Sequence, residues 1–198
     1  DYRRAVQQGA WCRSDQFCLL DYPIRELCGE TLGVIGFGEL GRGVAEAAKA
    51  FGLRVLVAAH PGTEPGPGRI HLEEMLPRVD ILSLHCPLTQ QTRNLIGPAE
   101  LALMKKDALL VNTARGGIVD ERALADALRR DIIGGAAVDV LSAEPPAEHN
   151  PLLAADIPNL LLTPHIAWAS RESRQRLLDE IAENIRAFSA GERRNRVV

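Results

Sequence analysis

The sequence lacks the features that mark membrane, secreted and nucleic-acid-binding proteins. No apolar run is long enough to span a membrane, and no signal peptide is recognisable. The formal net charge is only −3, so neither nucleic acid nor an anionic membrane is expected as a partner. Internal repeats and low-complexity segments are missing, and aromatic residues make up only 4%. We therefore expect a cytoplasmic globular protein, and 198 residues are enough for one well-buried domain.

Cysteine is scarce, and its spacing excludes the common metal-binding and redox patterns. The four cysteines form no Cys-x-x-Cys pair and have no histidine cluster at zinc-binding spacing nearby. Free, buried thiols in a reducing cytosol are the simplest interpretation, and no metal is expected. The cysteines are Cys12, Cys18, Cys28 and Cys86.

The segment from Thr31 to Arg42 has the glycine spacing of a dinucleotide-binding turn. After a short apolar run, Gly36, Gly38 and Gly41 follow the pattern Gly-x-Gly-x-x-Gly. A strand, a glycine turn and a helix in this order point helix N–H groups at a pyrophosphate. The motif alone also fits a glycine-rich turn without function, but the flanking elements favour nucleotide binding. The apolar residues at helical spacing after the turn are Leu40, Val44, Ala48 and Phe51.

Strand-like and helix-like segments alternate along the chain from Thr31 onward. The strand-like segments are continuously apolar, which is typical of a parallel sheet covered by helices on both faces. Asp120 and Ser170 are the expected caps of two helices, the first of which Gly134 and Gly135 would close. We predict a single doubly wound α/β domain over residues 29–198, after a helix and packing arm over residues 1–28. The six predicted strands are Leu32–Gly36, Arg54–Ala58, Asp80–His85, Ala108–Asn112, Ala136–Val140 and Asn159–Leu162.

Four ionisable side chains follow the ends of predicted strands. They are Arg115, Asp139, Glu144 and His165. In a doubly wound sheet, ligands bind at the carboxyl ends of the strands. Each residue alone fits an ordinary surface or loop position. Together, a cation, two carboxylates and an imidazole at one edge predict a site that polarises a carbonyl beside an anion.

Blocks of sequence around these positions resemble the nucleotide-binding domain of the D-isomer-specific 2-hydroxyacid dehydrogenases. They occur in the family's order over nearly the whole chain. Within the family, Phe17–Pro23 and His165–Ser170 are most similar to the glycerate dehydrogenase, or hydroxypyruvate reductase, branch. The resemblance implies a Rossmann-type sheet. The matching blocks are Gly33–Arg42, His85–Thr89, Leu110–Asp120, Ala137–Val140 and Thr163–Ala167.

The resemblance implies catalytic roles for three residues. Arg115 would bind the substrate carboxylate and help to polarise the C2 carbonyl, since a guanidinium can hold two oxygens at once. His165 would donate a proton to the carbonyl oxygen during reduction, a task suited to imidazole near neutral pH. Glu144 would accept a hydrogen bond from the other ring nitrogen, fix the tautomer and favour the protonated ring.

The resemblance also implies a cofactor, NAD or NADP. Asp139, Thr113 and Ala114 would lie near the nicotinamide, and His85, Cys86 and Pro87 would flank the adenosine. The full set of implied cofactor-binding residues is Gly36, Phe37, Gly38, Glu39, Leu40, Ala59, His60, His85, Cys86, Pro87, Thr92, Thr113, Ala114, Arg115, Asp139 and His165.

One position departs from the family pattern. NAD-preferring members carry an acidic residue after the second strand, where it holds the ribose hydroxyls. The matching residue here is Ala59, with His60 beside it. Without a carboxylate to repel a 2′-phosphate, NADPH should be tolerated, and His60 and Arg69 would assist it. We therefore expect dual or NADP-leaning use of the cofactor.

The resemblance implies an oxidoreductase acting on a small 2-keto or 2-hydroxy acid, either hydroxypyruvate/D-glycerate or glyoxylate/glycolate. Members acting on 3-phosphoglycerate, D-lactate, formate or phosphite are alternatives, as is a non-catalytic, dinucleotide-sensing co-repressor. The presence of all three residues Arg115, Glu144 and His165 favours an enzyme over the non-catalytic co-repressor. The family's smaller substrate domain carries the specificity loops. We expect that domain to be absent from this chain, which alone should bind dinucleotide and turn over poorly.

The arm before the sheet suggests an oligomer. Family members commonly form dimers through their nucleotide-binding domains. The arm has more apolar surface than a free loop should expose, so we predict a homodimer that uses it. Its apolar residues are Trp11, Phe17, Leu19 and Leu20.

Overall fold

Six parallel strands with intervening helices form the fold in the computed structural model, which describes residues 2–197. Asp1 and Val198, the outer ends of the two predicted units, lie outside the described residues. The strands are β1 (Thr31–Ile35), β2 (Arg54–Val57), β3 (Ile81–Leu84), β4 (Leu109–Asn112), β5 (Gly135–Val138) and β6 (Leu160–Leu162). The helices are α1 (Tyr2–Gln7), α2 (Glu39–Ala50), α3 (Leu72–Met75), α4 (Pro98–Leu103), α5 (Glu121–Arg129) and α6 (Arg171–Ser189), with 3₁₀ helices at Trp11–Arg13, Leu76–Arg78 and Pro151–Leu153.

The strand order reverses at β1. The order across the sheet is β2-β1-β3-β4-β5-β6, so β1 pairs with β2 on one side and with β3 on the other. Gly33 of β1, for example, lies opposite Leu56 and Leu82. Such a reversal opens a crevice at the carboxyl ends of the two diverging connections, where ligands bind. The prediction of a doubly wound α/β fold is confirmed.

All six predicted strands are present, with bounds that differ by one or two residues. The first was predicted to end at Gly36, but β1 ends at Ile35 because Gly36 turns into the left-handed region at φ 88°. The fifth was predicted to reach Val140, but β5 ends at Val138. These differences leave every strand end at the same edge of the sheet.

The helix ends confirm two predictions and correct a third. The side chains of Asp120 and Ser170 each accept a hydrogen bond from a first-turn backbone N–H, at 3.0 and 3.1 Å. The prediction that Gly134 and Gly135 close α5 is wrong, since Asp131 makes the left-handed turn at φ 50°. Cβ atoms at the two glycines would lie 2.7 and 2.9 Å from neighbouring carbonyl oxygens. The glycines therefore allow close approach of the backbone where β5 begins.

Of the four apolar residues predicted to line α2, Ala48 is buried and Val44 packs against the core, but the two large ones at the ends of the helix are not buried. Leu40 and Phe51 are 76% and 67% exposed. The buried face consists of Gly41, Ala45 and Ala48. A Cβ at Gly41 would come within 2.1 Å of a backbone oxygen in the glycine turn, so the helix lies too close to the sheet for large side chains. Small residues, rather than the large apolar ones, mark the packed face.

The sheet is less fully covered than the continuous apolar strands predict. Leu109 of β4 and Leu161 of β6 are 45% and 64% exposed. The apolar residues of α6 at helical spacing are also exposed, namely Leu178, Ile181, Ile185 and Phe188. No helix within residues 2–197 has the length and apolar character needed to cross a membrane.

The cysteines and the arm are also more exposed than a self-contained domain would require. All four cysteines are free, as predicted, but Cys12 and Cys28 are exposed rather than buried. Within the arm, Phe17 and Leu20 are 91% and 73% exposed, because the segment around them has no regular structure and no core beneath it.

Candidate active site

Each of the three motif glycines has a different structural role in the turn that connects β1 to α2. A Cβ at Gly36 would lie 2.5 Å from the backbone N of Cys86, so the chain after β1 packs directly on the chain after β3. Gly41 allows α2 to approach the turn, as described above. Gly38 caps α2, and a Cβ there would meet no atom within 4 Å. The helix N-terminus therefore faces open space, which suits an incoming anion.

A cavity of about 400 Å³ lies beside this turn and collects most of the predicted cofactor-binding residues. Thr92 shapes one wall, because its Oγ1 donates to the Pro87 carbonyl (2.7 Å) and accepts from the Thr89 N–H (2.7 Å). Gln91 and Thr89 also line the cavity and were not predicted from the sequence. The predicted residues that line it are Gly36, Phe37, Gly38, Ala59, His60, His85, Cys86, Pro87 and Thr92.

Two side chains in this cavity are held in their uncharged forms. Burial lowers the pKa of His85, whose Nε2 lies 2.9 Å from Ser83 Oγ. Burial also raises the pKa of the Cys86 thiol. A neutral imidazole and a protonated thiol leave this wall without charge. The wall therefore suits the nucleoside part of a ligand better than its phosphates.

Arg69 supplies a fixed cation at the mouth of the same cavity. Its Nη1 donates to the Ala58 carbonyl at 3.1 Å, and its guanidinium carbon lies 6.0 Å from the centre of the Phe37 ring. Within residues 2–197 it forms no ion pair. Ala59 and His60 line the cavity beside it. The guanidinium of Arg69 is thus held in the cavity beside the end of β2, where Ala59 stands in place of an acidic residue.

A second cavity, of about 620 Å³, is lined by an imidazole and a carboxylate that contact each other. His165 Nδ1 lies 2.7 Å from Glu144 Oε2, and both side chains line the cavity. The Glu144 Oε1 atom accepts the Leu141 N–H at 2.8 Å. That bond, together with His165, lowers the pKa of Glu144 despite the opposing effect of burial. The carboxylate is therefore an acceptor at neutral pH, so Nδ1 carries the hydrogen and Nε2 is the nitrogen left for chemistry.

Asp139 fixes the loop that carries His165. Burial opposes its ionisation, but hydrogen bonds from Thr163 Oγ1 (2.5 Å) and the Ala167 and Ile166 N–H groups (2.9 Å each) outweigh burial and lower its pKa. The resemblance places this carboxylate near the nicotinamide. The structure adds that both of its oxygens already serve the chain itself.

The backbone of His165 is also constrained. Its φ of 54° lies in the left-handed region, which is uncommon for a residue with a side chain. Its N–H donates to the Asp139 carbonyl at 2.8 Å, and its own carbonyl accepts Trp168 Nε1 at 3.0 Å. Neither contact was predicted from the sequence. Both hold the imidazole at the cavity wall.

The loop after β4 places Arg115 near, but not in, these cavities. Asn112 folds it: its side chain accepts the Ala114 N–H and donates to the Arg115 carbonyl, both at 3.1 Å. Arg115 is exposed, and its Nη1 donates to the Ala114 carbonyl at 2.7 Å. A Cβ at Gly116 would lie 1.9 Å from the Leu141 oxygen, so this loop packs directly against the one that carries Glu144. The predicted residues that line neither cavity are Glu39, Leu40, Thr113, Ala114 and Arg115.

No metal centre is found in the part of the chain that the structure describes. Among residues 2–197, no group of three or more His, Cys, Asp or Glu side chains is placed to hold a metal ion. The two cavities lie along the carboxyl edge of the sheet, one beside β1, β2 and β3 and the other beside β5 and β6. The glycine turn and His165 therefore lie at the same edge of the sheet.

Comparisons with known sequences agree with this geometry. A family profile described as "D-isomer specific 2-hydroxyacid dehydrogenase, NAD binding domain" matches residues 1–167. The chain is 48% identical over 194 residues to a glycerate dehydrogenase of Methylorubrum extorquens, covering 98% of this chain and 61% of that protein. It is 37% identical over 194 residues to a hydroxypyruvate reductase of Blautia hydrogenotrophica, covering 96% and 60%. The chain therefore spans about three-fifths of the length of these relatives.

The chain is also similar to solved structures of dehydrogenases and reductases. An acyclic imino acid reductase in complex with NADPH and D-Arg superimposes with a TM-score of 0.79 at 33% identity, over 99% of this chain and 63% of that one. A D-lactate dehydrogenase from Aquifex aeolicus complexed with NAD and lactic acid superimposes with a TM-score of 0.77 at 32% identity, over 96% and 61%.

Proposed function

The chain belongs to the D-isomer specific 2-hydroxyacid dehydrogenases as their NAD-binding domain, and from this premise we propose the activity of the whole protein. We propose an oxidoreductase that transfers hydride between NAD(P)H and a small 2-keto acid. Its preferred substrates would be hydroxypyruvate or glyoxylate, because relatives named glycerate dehydrogenase, hydroxypyruvate reductase and glyoxylate reductase are similar over most of this chain. The observation that carries the proposal is the His165–Glu144 pair at the cavity wall.

The pair fits the role of proton donor and its partner. With Nδ1–H bonded to Glu144, Nε2 can give a proton to the substrate oxygen during reduction and take one during oxidation. The ionised Glu144 stabilises the imidazolium that this exchange requires. Bound nicotinamide cofactor would supply the hydride. Arg115, on the loop packed against Leu141, would hold the substrate carboxylate when its side chain leaves the Ala114 carbonyl.

We propose that the remaining predicted residues bind the cofactor as two groups. The glycine turn with Glu39 and Leu40 would hold the pyrophosphate, and the cavity beside it the adenosine. Thr113, Ala114 and Asp139 would contact the nicotinamide. In this scheme residues 29–198 form the cofactor-binding unit, and residues 1–28 form a helix and an arm that packs on another surface.

The position of Arg69 favours NADPH. It lines the nucleotide cavity beside Ala59 and His60, and the described residues provide it with no carboxylate partner. A 2′-phosphate would meet this cation, whereas the ribose hydroxyls of NADH would find no acid at Ala59. Nicotinamide fluorescence titrations should therefore give a lower Kd for NADPH than for NADH. A clear advantage for NADH would refute this preference.

Replacing Arg69 tests that interpretation directly. In Arg69→Gln the Kd for NADPH should rise about tenfold or more, since a charge-assisted hydrogen bond is lost, while the Kd for NADH stays constant. Arg78→Gln is the matched control, because Arg78 is exposed and lines neither cavity. Equal losses for both nucleotides would mean that Arg69 does not distinguish them.

We propose a homodimer formed through the arm. Phe17 and Leu20 of the arm are largely exposed, as are Leu109 and Leu161 on the sheet. Apolar surface of this extent favours burial against another copy. Light scattering should give the mass of two chains, and Phe17→Ser with Leu20→Ser should shift it toward one. A monomeric wild-type mass would contradict the proposal.

A substrate panel tests the activity. The intact protein should oxidise NADPH or NADH with hydroxypyruvate or glyoxylate faster than with 3-phosphohydroxypyruvate or pyruvate. A strong preference for the phosphorylated substrate would move the protein to another branch of the family. Oxidation with none of these substrates would argue against the proposed activity altogether.

A further inference from the structure

The segment that carries Glu144 has no regular secondary structure and few buried contacts. Residues 141–150, here called the Glu144 loop, connect the end of the β5 strand region to the 3₁₀ helix at Pro151–Leu153. Residues 142–149 are all exposed and form no helix or strand. Exposed segments without buried contacts open readily. The hydrogen bonds within the loop are short-range, from the Leu141 N–H to Glu144 Oε1 and from the Asn150 N–H to the Ala147 carbonyl. A restraint from outside the loop would therefore help to maintain the 2.7 Å contact between Glu144 and His165.

One carboxylate outside the loop contacts both of its ends. Glu121 Oε1 accepts the Ser142 N–H at 2.5 Å, and Glu121 Oε2 accepts Asn150 Nδ2 at 2.7 Å. The Oδ1 atom of Asn150 in turn accepts the Leu152 N–H at 2.9 Å. Leu152 is buried in the main core, at 2% exposure. Glu121 thus closes the loop at its base and connects it to the core.

Glu121 is itself well placed to act as a fixed point. It is the first residue of α5, directly after the capping Asp120. An ionised carboxylate is stabilised in the first turn of a helix by the helix dipole. Leu124 and Leu128 of the same helix are buried at 0% and 1% exposure, so α5 is anchored in the core. Glu121 therefore connects the Glu144 loop to a helix that is packed in the core.

We propose that Glu121 is a positioning residue for the reactive pair: it holds the base of the Glu144 loop so that Glu144 meets His165 Nδ1. Glu121 lines neither of the two cavities. Its effect would be to keep His165 in the tautomer that leaves Nε2 free. The relevance of this role to catalysis rests on the proposed function, but the contact itself can be tested without turnover.

Asn150 offers a way to break and then restore the restraint. In Glu121→Gln, the new amide can accept one donor but presents its own N–H groups to the other, so one of the two bonds is lost. In Asn150→Asp, two carboxylates face each other. Combining both changes lets the glutamine oxygen accept the Ser142 N–H while its nitrogen donates to the new aspartate. Glu148→Gln is the control, because Glu148 is an exposed acid in the same loop with no side-chain hydrogen bond within the described residues.

The readouts are the imidazole nitrogen shifts of His165 and the hydrogen exchange of the Ser142 amide, both measured by NMR on this chain. Each single variant should speed Ser142 exchange about tenfold or more and convert a single His165 tautomer into a mixture. The double variant should restore both toward wild type, and Glu148→Gln should change neither.

Two results would overturn the proposal. One is an unchanged His165 tautomer in Glu121→Gln despite faster Ser142 exchange, which would confine Glu121 to local stability. The other is a double variant no closer to wild type than the single ones. If the proposal holds while His165→Ala leaves turnover of the intact protein unchanged, the proposed function fails and the positioning contact stands.

Discussion

Replacing Asp139 with asparagine should destabilise the chain while preserving its shape. The carboxylate is 4% exposed and accepts hydrogen bonds from Thr163 Oγ1, Ile166 N–H and Ala167 N–H. An asparagine nitrogen would replace one acceptor and face an N–H or O–H donor. Hydrogen bonds to charged groups contribute about 1.5–3 kcal/mol each, and an unsatisfied buried donor costs a similar amount. We expect the free energy of unfolding to fall by about 2–3 kcal/mol, and Tm by roughly 5–10 °C.

The stability difference between wild type and Asp139→Asn should depend on pH. The folded-state pKa of Asp139 is lowered, so the group stabilises the fold above its unfolded-state pKa, and that contribution is lost as pH falls through the folded-state value. Urea unfolding should show the full wild-type advantage over Asp139→Asn at neutral pH. The advantage should shrink below about pH 4, where the unfolded carboxylate protonates.

The assay is equilibrium unfolding followed by circular dichroism, with both proteins measured at each pH. Thr163→Val is a second variant that removes one donor and should cost less, about 1 kcal/mol. An Asp139→Asn chain as stable as wild type at neutral pH, or a difference in stability that does not shrink on acidification, would contradict this prediction. Asp139 would then not be the acceptor that fixes the His165 loop.

Gly36→Ala should abolish dinucleotide binding and lower stability by about 2 kcal/mol or more, because φ is 88° and the new Cβ would lie 2.5 Å from Cys86 N; unchanged titration and melting curves would contradict this. Gly43→Ala, at an exposed interior position of α2 with open space around it, should instead stabilise by about 0.5–1 kcal/mol, as measured by Tm. A thiol reagent should modify the exposed Cys28 quickly and Cys86 slowly, because burial raises the pKa of Cys86; mass spectrometry of the first-labelled peptide checks the order.

Much of the fold could be predicted from the sequence because its determinants are local. The apolar run before Gly36 and the glycine spacing require a strand and a turn, whatever packs around them. Alternating elements then require a parallel sheet, and a parallel sheet brings its strand ends to one edge. Glu144 and His165 lie 108 and 129 residues beyond Gly36, and their meeting at one edge could be predicted without any long-range information.

The rest depends on contacts between residues far apart in the chain. Leu40 looked like a core residue of α2, but the close approach at Gly41 leaves room only for small side chains. Glu121 reads as an ordinary first-turn glutamate, and only the folded chain brings it to Ser142 and Asn150. Asn112 likewise looks like a strand residue until its side chain folds the loop before Arg115.

The central claim is that His165 exchanges the proton with the substrate oxygen. It is tested most directly by measuring oxidation of reduced cofactor by the intact protein with hydroxypyruvate, in wild type and in His165→Ala, alongside the Kd for the cofactor. We expect kcat to fall about a hundredfold or more in His165→Ala, with cofactor affinity unchanged. A His165→Ala protein that keeps the wild-type kcat would contradict it.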